Sequence, residues 1–376
     1  AQAVQHQQTI CGLCRGAAMS IQQGPWDPRV LAGSVAVVTG SCNYGIGWGL
    51  ARHCAKELAM HVALVDLQAS AVRSAARELA EECPAVRIQG FACDVSRPPD
   101  VARLAEDVER SFGGARVGAV FANAGVLFAG KLESQPIQEW ILTLNVNVIG
   151  IVNTIQAFLP LLKRSQGPSL LVTTSSIGGL MKGDGASASY MASKHAVIAL
   201  TESLSFELAR RHPQIRVHTL LPCQVRSGLD QTSRRNAATM EAEASAAADE
   251  DTAAAEGWRP SDAHQWMMTV EAHAQQVFDR IARAEFYVLG ENVRPYVDHD
   301  LPFGALDLVR ERYEGLLNLQ LDNRDALDAN TRFGPVGAPR SRVLKGPMFQ
   351  EMRRLDEARL ARRSSEGKDA RPESKL

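Results

Sequence analysis

Val35-Ala36-Val37-Val38-Thr39-Gly40-Ser41-Cys42-Asn43-Tyr44-Gly45-Ile46-Gly47 is the stretch that decides how this chain folds. Its first four residues form a short apolar, β-prone run of the kind that becomes a buried strand. The run enters a glycine-rich turn directly, and the turn leads into a helical pattern through Leu50, Cys54 and Leu58. Strand, glycine turn and helix make a dinucleotide-binding arrangement. The glycines let the backbone approach a pyrophosphate, and the helix N-terminus offers free N–H groups and a favourable dipole. Gly40, Gly45, Ile46 and Gly47 are therefore candidate cofactor contacts. A second apolar strand, Val62 to Val65, ends in Asp66. An acidic side chain there accepts hydrogen bonds from the adenosine ribose and repels a 2′-phosphate. No arginine or lysine lies between Gly40 and Gly47 or immediately after Asp66, which argues for NAD over NADP.

Further along the chain, Tyr190-Met191-Ala192-Ser193-Lys194 heads an apolar-periodic run. Helix positions i and i+4 share a face, so the phenol and the ammonium stand side by side. Free tyrosine, with a pKa near 10, shuttles protons poorly at neutral pH. A lysine charge about 5 Å away, at an effective dielectric of about 20, favours phenolate by roughly 3 kcal/mol, or about two pKa units. That brings a tyrosine into the range of general acid or base work.

These motifs, in this order, resemble the short-chain dehydrogenase/reductase family, and the likeness covers roughly residues 30 to 320. Asp94-Val95, after the apolar segment Ile88 to Phe91, is similar to the family's adenine-contacting acidic pair. Asn123-Ala124-Gly125, after the strand Val117 to Phe121, is similar to the motif that supports the central sheet beside the cofactor. Asn147 occupies the catalytic asparagine position. Ser176, after the strand Leu170 to Thr174, matches the catalytic serine. Pro222, Val225 and Ser227, after Val217 to Leu221, match the segment that holds the nicotinamide carboxamide. The resemblance implies a doubly wound, Rossmann-type parallel sheet of about seven strands, α/β in class, with NAD across the carboxyl ends of the strands. It implies hydride transfer between the cofactor and a small-molecule secondary alcohol or 3-hydroxyacyl thioester. Tyr190 would move the proton, and Lys194 would lower its pKa and hold the nicotinamide ribose. Ser176 would bind the substrate oxygen, and Asn147 would hold a water in a proton relay. A homodimer or homotetramer is implied as well.

Three departures from the family pattern stand out. Four residues separate Gly40 from Gly45 where three are usual, so a bulge near the pyrophosphate is expected. The interval from Ser176 to Tyr190 is one residue longer than the commonest family spacing, which a loop around Lys182-Gly183-Asp184-Gly185 absorbs. Cys223 stands where glycine usually follows the proline, which places a thiol near the nicotinamide. Two other classes stay open. An enoyl-thioester reductase is disfavoured by the four-residue Tyr-to-Lys step, because its better-known relatives space that pair further apart. A non-catalytic NAD-binding scaffold is disfavoured by the retention of all four catalytic residues.

The 376 residues, with net charge -1 and 45% hydrophobic content, suffice for one large α/β domain plus extensions. Such a balance gives no reason to expect nucleic acid or a membrane surface as partner, and no unbroken apolar run reaches the 18 or so residues of a membrane span. Seven scattered cysteines read as reduced thiols. Cys11-Gly-Leu-Cys14 has metal-pair spacing but lacks a second pair, so no metal is expected. The expected organisation is an N-terminal extension over 1–28, the Rossmann domain over 29–325, and a tail over 326–376. The Ala/Glu-rich stretch 234–257 is either a substrate lid or a low-complexity insert. Arg226, Arg234 and Arg235 are candidates for a CoA phosphate. Residues 1–28 lack an initial methionine, so a removed transit peptide stays open. Ser374-Lys375-Leu376 has the form of a type 1 peroxisomal targeting signal, so a peroxisomal import receptor is an expected partner and the peroxisome the expected location.

Overall fold

Five consecutive buried residues, Val35–Thr39, form β1, the strand from which the sheet grows in both directions. A computed structural model describes residues 25–290, apart from Asn43, Gln166, 181–186, Gly228 and 230–266. The expectations for Cys11 and Cys14, the 180s loop, the stretch 234–257, Arg234, Arg235 and the Ser-Lys-Leu tail lie outside the described residues. In chain order the elements are β1, α1 (Ile46–Lys56), β2 (His61–Asp66), α2 (Ala69–Glu82), β3 (Ile88–Ala92), α3 (Pro98–Ser111) and β4 (Val117–Ala122). Then come α4 (Ile137–Leu144), α5 (Gly150–Arg164), β5 (Ser169–Thr174), α6 (Ala188–Arg211), β6 (Ile215–Leu221), α7 (Val270–Ala282) and β7 (Tyr287–Leu289). All seven strands pair in parallel in the order β3-β2-β1-β4-β5-β6-β7.

Buried strands without alternation are what a parallel sheet covered on both faces requires. β4, β5 and β6 are buried along their whole length, as is β1. One face packs Ala36, Val38, Leu64, Phe121 and Leu220 against Leu50 and Cys54 of α1 and Val277, Phe278 and Ile281 of α7. On the other, the Thr173 hydroxyl of β5 meets the Thr201 hydroxyl of α6 at 2.7 Å. Local signals set helix starts: Pro98 stands in the first turn of α3, and the Thr269 hydroxyl caps α7 by accepting from Ala272 N at 3.2 Å. Strand order reverses between β1 and β4, and ligands bind at such a switch point, beyond the carboxyl ends of the strands.

α4 and α5 form one continuous helix, Ile137–Arg164, 28 residues long. Among the described residues it is long and apolar enough to cross a membrane by length and composition. Counting unbroken apolar runs in the sequence misses it, because polar residues interrupt the apolar ones. Its inner face packs on β4, α3 and α6, while Ile137, Ile141, Leu144 and Ile149 are exposed. Midway, Asn145–Ile149 widens into a π turn, in which Gly150 N–H donates to the Asn145 carbonyl. Such turns recur at functional sites, and Asn147 is the central residue of this one.

Candidate active site

The strand that ends at Thr39 turns at Gly40, where φ is +64° and a Cβ would lie 2.7 Å from the Ala124 Cα. Gly47 is tighter still, with a Cβ position 2.2 Å from the Gly40 carbonyl oxygen and 2.7 Å from Asn123 Nδ2. These two glycines close α1 onto the turn and onto the Asn123-Ala124-Gly125 segment. Asn123 completes the closure, since its Nδ2 donates to the carbonyls of Thr39 (2.9 Å) and Gly40 (3.1 Å) and its Oδ1 accepts from the Thr174 hydroxyl at 3.0 Å. A Cβ on Gly45, by contrast, would meet only the Cys42 and Ser227 carbonyls, at 3.7 and 3.9 Å. Glycine there leaves the mouth of the turn open, and no side chain caps the N-terminus of α1. An uncapped helix end facing open space beside Gly45 fits a pyrophosphate.

Gly40, Gly45, Ile46, Asp66, Asp94, Val95, Asn123, Ala124, Gly125, Ser176, Tyr190, Lys194, Pro222, Val225 and Ser227 all border one cleft along the strand ends. Two of the sequence-derived residues, Gly47 and Asn147, stand behind its wall. At one end the Asp66 carboxylate accepts from Cys42 N–H (Oδ2, 2.9 Å) and Leu67 N–H (Oδ1, 2.8 Å). Burial pushes this carboxyl up, and those donors with the Cys42 thiol act against it. Asp94 is held by Ser96, whose N–H and hydroxyl donate to Oδ1 at 2.9 and 2.7 Å.

At the other end Ser176 and Tyr190 border the same cleft. Ser176 is positioned by the short turn it caps, its Oγ accepting from Gly178 N at 3.1 Å. The buried Lys194 Nζ donates to the Thr174 carbonyl at 2.9 Å and lies 5.4 Å from the Tyr190 ring centroid. Desolvation draws its ammonium down to about 8. Desolvation also pushes the Tyr190 phenol up, while the neighbouring Ser176 hydroxyl pulls it down. The Tyr-to-Lys spacing carries only the charge effect, which lowers the phenol. In the free protein burial acts the other way and is the larger effect.

Asn147 is fully buried. Its Oδ1 accepts from Val126 N–H at 2.8 Å, and its Nδ2 donates to the Val126 carbonyl and the Ser193 hydroxyl, each at 2.9 Å. A point beside Gly125 lies 3.3 Å from Asn147 Oδ1 and 3.4 Å from Lys194 Nζ, so the two side chains are neighbours. The side-chain amide is thus held by protein groups on both its oxygen and its nitrogen. Arg226 Nε donates to the Met267 carbonyl at 3.0 Å. Sequence reasoning passed over Cys42, Cys93, Leu142 and Val146, which also border the cleft. The two thiols carried no motif, and the two apolar residues look like any helix core.

A doubly wound sheet with a glycine turn at the switch point and a serine, tyrosine and lysine on one wall defines a dinucleotide-dependent oxidoreductase. The chain belongs to the short-chain dehydrogenase/reductase family, since its residues 34–238 match the short chain dehydrogenase family. It is 33% identical over 201 residues to a farnesol dehydrogenase of Aedes aegypti, spanning 52% of this chain and 79% of that protein. It is also 33% identical over 206 residues to an NAD-dependent oxidoreductase of Mycobacterium tuberculosis, spanning 52% of this chain and 72% of that one. A solved short-chain dehydrogenase/reductase from Burkholderia phymatum, in complex with NAD, superposes with a TM-score of 0.59 at 27% identity. That match covers 78% of this chain and 96% of that one. The protein is an enzyme that acts on CH–OH groups.

Proposed function

We propose that the enzyme transfers hydride between a secondary alcohol, or a 3-hydroxyacyl thioester, and NAD, with Tyr190 as the proton-transferring group. The observation that carries this reading is the placement of Ser176, Tyr190 and Lys194 on one cleft, with Lys194 Nζ 5.4 Å from the Tyr190 ring centroid. The bound nicotinamide supplies the hydride acceptor or donor. As the substrate C–H bond gives up its hydride, the substrate O–H proton passes to Tyr190, and reduction runs the same transfer backwards. Ser176 donates to the substrate oxygen, where charge develops. Lys194 places a cation beside the phenol and offsets the cost of phenolate. Asn147 acts through Val126 and Ser193, as a positioning residue for the wall that carries Tyr190 and Lys194. Cofactor choice is assigned to Asp66, whose charge meets a 2′-phosphate with repulsion. The exposed apolar residues of the α4–α5 helix support assembly into a homo-oligomer.

The test is a panel of secondary alcohols and 3-hydroxyacyl thioesters incubated with the full chain and NAD, read by NADH absorbance. Turnover of at least one class that is lost in Tyr190→Phe supports the reading. Turnover that survives Tyr190→Phe would sink the proton-transfer role.

A further inference from the structure

The glycine turn holds one residue more than the family pattern, and its first half is stitched to β2. Ser41 N–H donates to the Val65 carbonyl at 3.2 Å, and the Ser41 hydroxyl accepts from Val65 N–H at 2.9 Å. Cys42 N–H donates to the Asp66 carboxylate at 2.9 Å. The second half closes on itself, since Gly45 N–H donates to the Cys42 carbonyl at 3.4 Å. Tyr44, third in this four-residue turn, has φ +53°. Glycine or asparagine is the usual occupant of such a left-handed position, because a Cβ crowds the backbone there. A tyrosine calls for anchors that offset the crowding, and two are present. The Tyr44 hydroxyl donates to Glu78 of α2 (Oε2, 3.1 Å), and the ring meets that of buried Trp48 edge-on, with centroids 5.7 Å apart. Trp48 and Arg52 stand one turn apart on α1, as Glu78 and Glu82 do on α2, and Arg52 Nε donates to Glu82 at 2.6 Å. The inserted turn is thereby drawn onto the α1–α2 seam, and Gly45 borders the cleft while Tyr44 does not.

We propose that Tyr44 is a positioning residue for the cofactor: tied to Glu78 and Trp48, it holds the lengthened turn in the shape that presents the N-terminus of α1 to the pyrophosphate. This inference rests on the cleft holding NAD. Gly45 N–H is committed to the Cys42 carbonyl, so the donors for a phosphate are those of the first turn of α1. A turn free to rotate its peptides would lose that aim, and ordering it again would weaken binding. Tyr44 and Glu78 meet at the surface, where water competes for the bond, so the effect is modest.

The experiment titrates NADH, by its fluorescence, and ADP-ribose, by displacement of NADH, into the full chain and four variants. These are Tyr44→Phe, Glu78→Ala, Glu78→Gln and the double variant Tyr44→Phe/Glu78→Ala, each also unfolded thermally without cofactor. Tyr44→Phe and Glu78→Ala should each raise both dissociation constants about three- to five-fold. Their unfolding temperatures should stay within about 2 °C of wild type. The double variant should bind no more weakly than either single one, because both remove the same bond. Glu78→Gln keeps an acceptor and should stay within about two-fold of wild type. Glu78→Ala carries the test if Tyr44→Phe fails to fold. Single variants that bind as wild type does, or losses that multiply in the double variant, would overturn the proposal. So would weakened NADH with unchanged ADP-ribose, since the effect would then lie away from the pyrophosphate. Affinity lost only in step with unfolding temperature would leave Tyr44 a structural residue and nothing more. If the wild type binds neither ligand, the NAD reading fails and the role of Tyr44 with it.

Discussion

Lys194 Nζ stands 5.4 Å from the centre of the Tyr190 ring, buried, with the Thr174 carbonyl as its acceptor. Desolvation holds the folded-state ammonium at about 8 against an ordinary 10.5. Below the folded value both folded and unfolded chains carry the proton, and the fold bears the whole cost of burying charge. Between the two values the unfolded chain binds the proton and the folded one does not, so stability rises with pH there. The wild type should therefore gain on Lys194→Met from pH 8 upward, by at most about 3 kcal/mol. Urea unfolding of both proteins without cofactor, from pH 7 to 9.5, measures the difference. A flat difference would mean that the ammonium is not desolvated.

Tyr190→Phe removes one oxygen and leaves the ring in place. Loss of a positioned acid or base costs roughly 10²- to 10⁴-fold in rate. Turnover should fall by that factor while the NADH dissociation constant stays within about two-fold. Lys194→Met should damage both quantities, which separates the proton carrier from the residue beside it. Steady-state rates and NADH titration on the same preparations make the comparison.

The fold was legible because its signals are local. Val35 to Val38 and Val117 to Phe121 read as short, mostly apolar strand runs, and the glycines after β1 mark a cofactor-binding turn. The candidate site was legible wherever a motif fixes a backbone role, as with Gly40, Asp66 and Asn123. Effects that depend on burial were not. Nothing in Tyr190-Met191-Ala192-Ser193-Lys194 says that both ionisable groups are desolvated, and the phenol moves up as a result. The commitment of the Asn147 amide to Val126 and Ser193 is equally hidden, because both partners come from distant segments that meet only in the folded chain. Cys42 and Ser41 were missed for the same reason, since their partner strand lies 24 residues away.

Gly47→Ala places a methyl group 2.2 Å from the Gly40 carbonyl oxygen. The obstacle is backbone, so either α1 shifts or the turn opens. Overpacking of this kind costs about 1–3 kcal/mol or more, and the pyrophosphate cradle is deformed with it. Chemical denaturation should show the loss of stability, and NADH titration a loss of affinity. Unchanged binding would mean that the turn yields without disturbing the cradle.

Asn147→Leu tests whether this residue holds structure or a water. The substitution keeps the volume and removes three hydrogen bonds, leaving Val126 N–H and C=O buried beside Lys194 without the partners they have now. Each buried unsatisfied group costs about 1–3 kcal/mol, so apo stability should fall by roughly 3 kcal/mol. Ser193→Ala, which also ends the Asn147 Nδ2 contact to Ser193, removes only one of the three and should cost about 1 kcal/mol. The Ser193 hydroxyl also donates to the Tyr190 carbonyl at 2.7 Å, so this smaller change still reaches the helix turn that carries the proton donor. An asparagine that served only to hold a relay water would behave differently. Its loss would lower the rate and leave apo stability within about 0.5 kcal/mol of wild type. Urea unfolding of the two variants without cofactor, set against their turnover, separates these outcomes. A large rate loss with unchanged stability would return Asn147 to the relay and remove it from the scaffold.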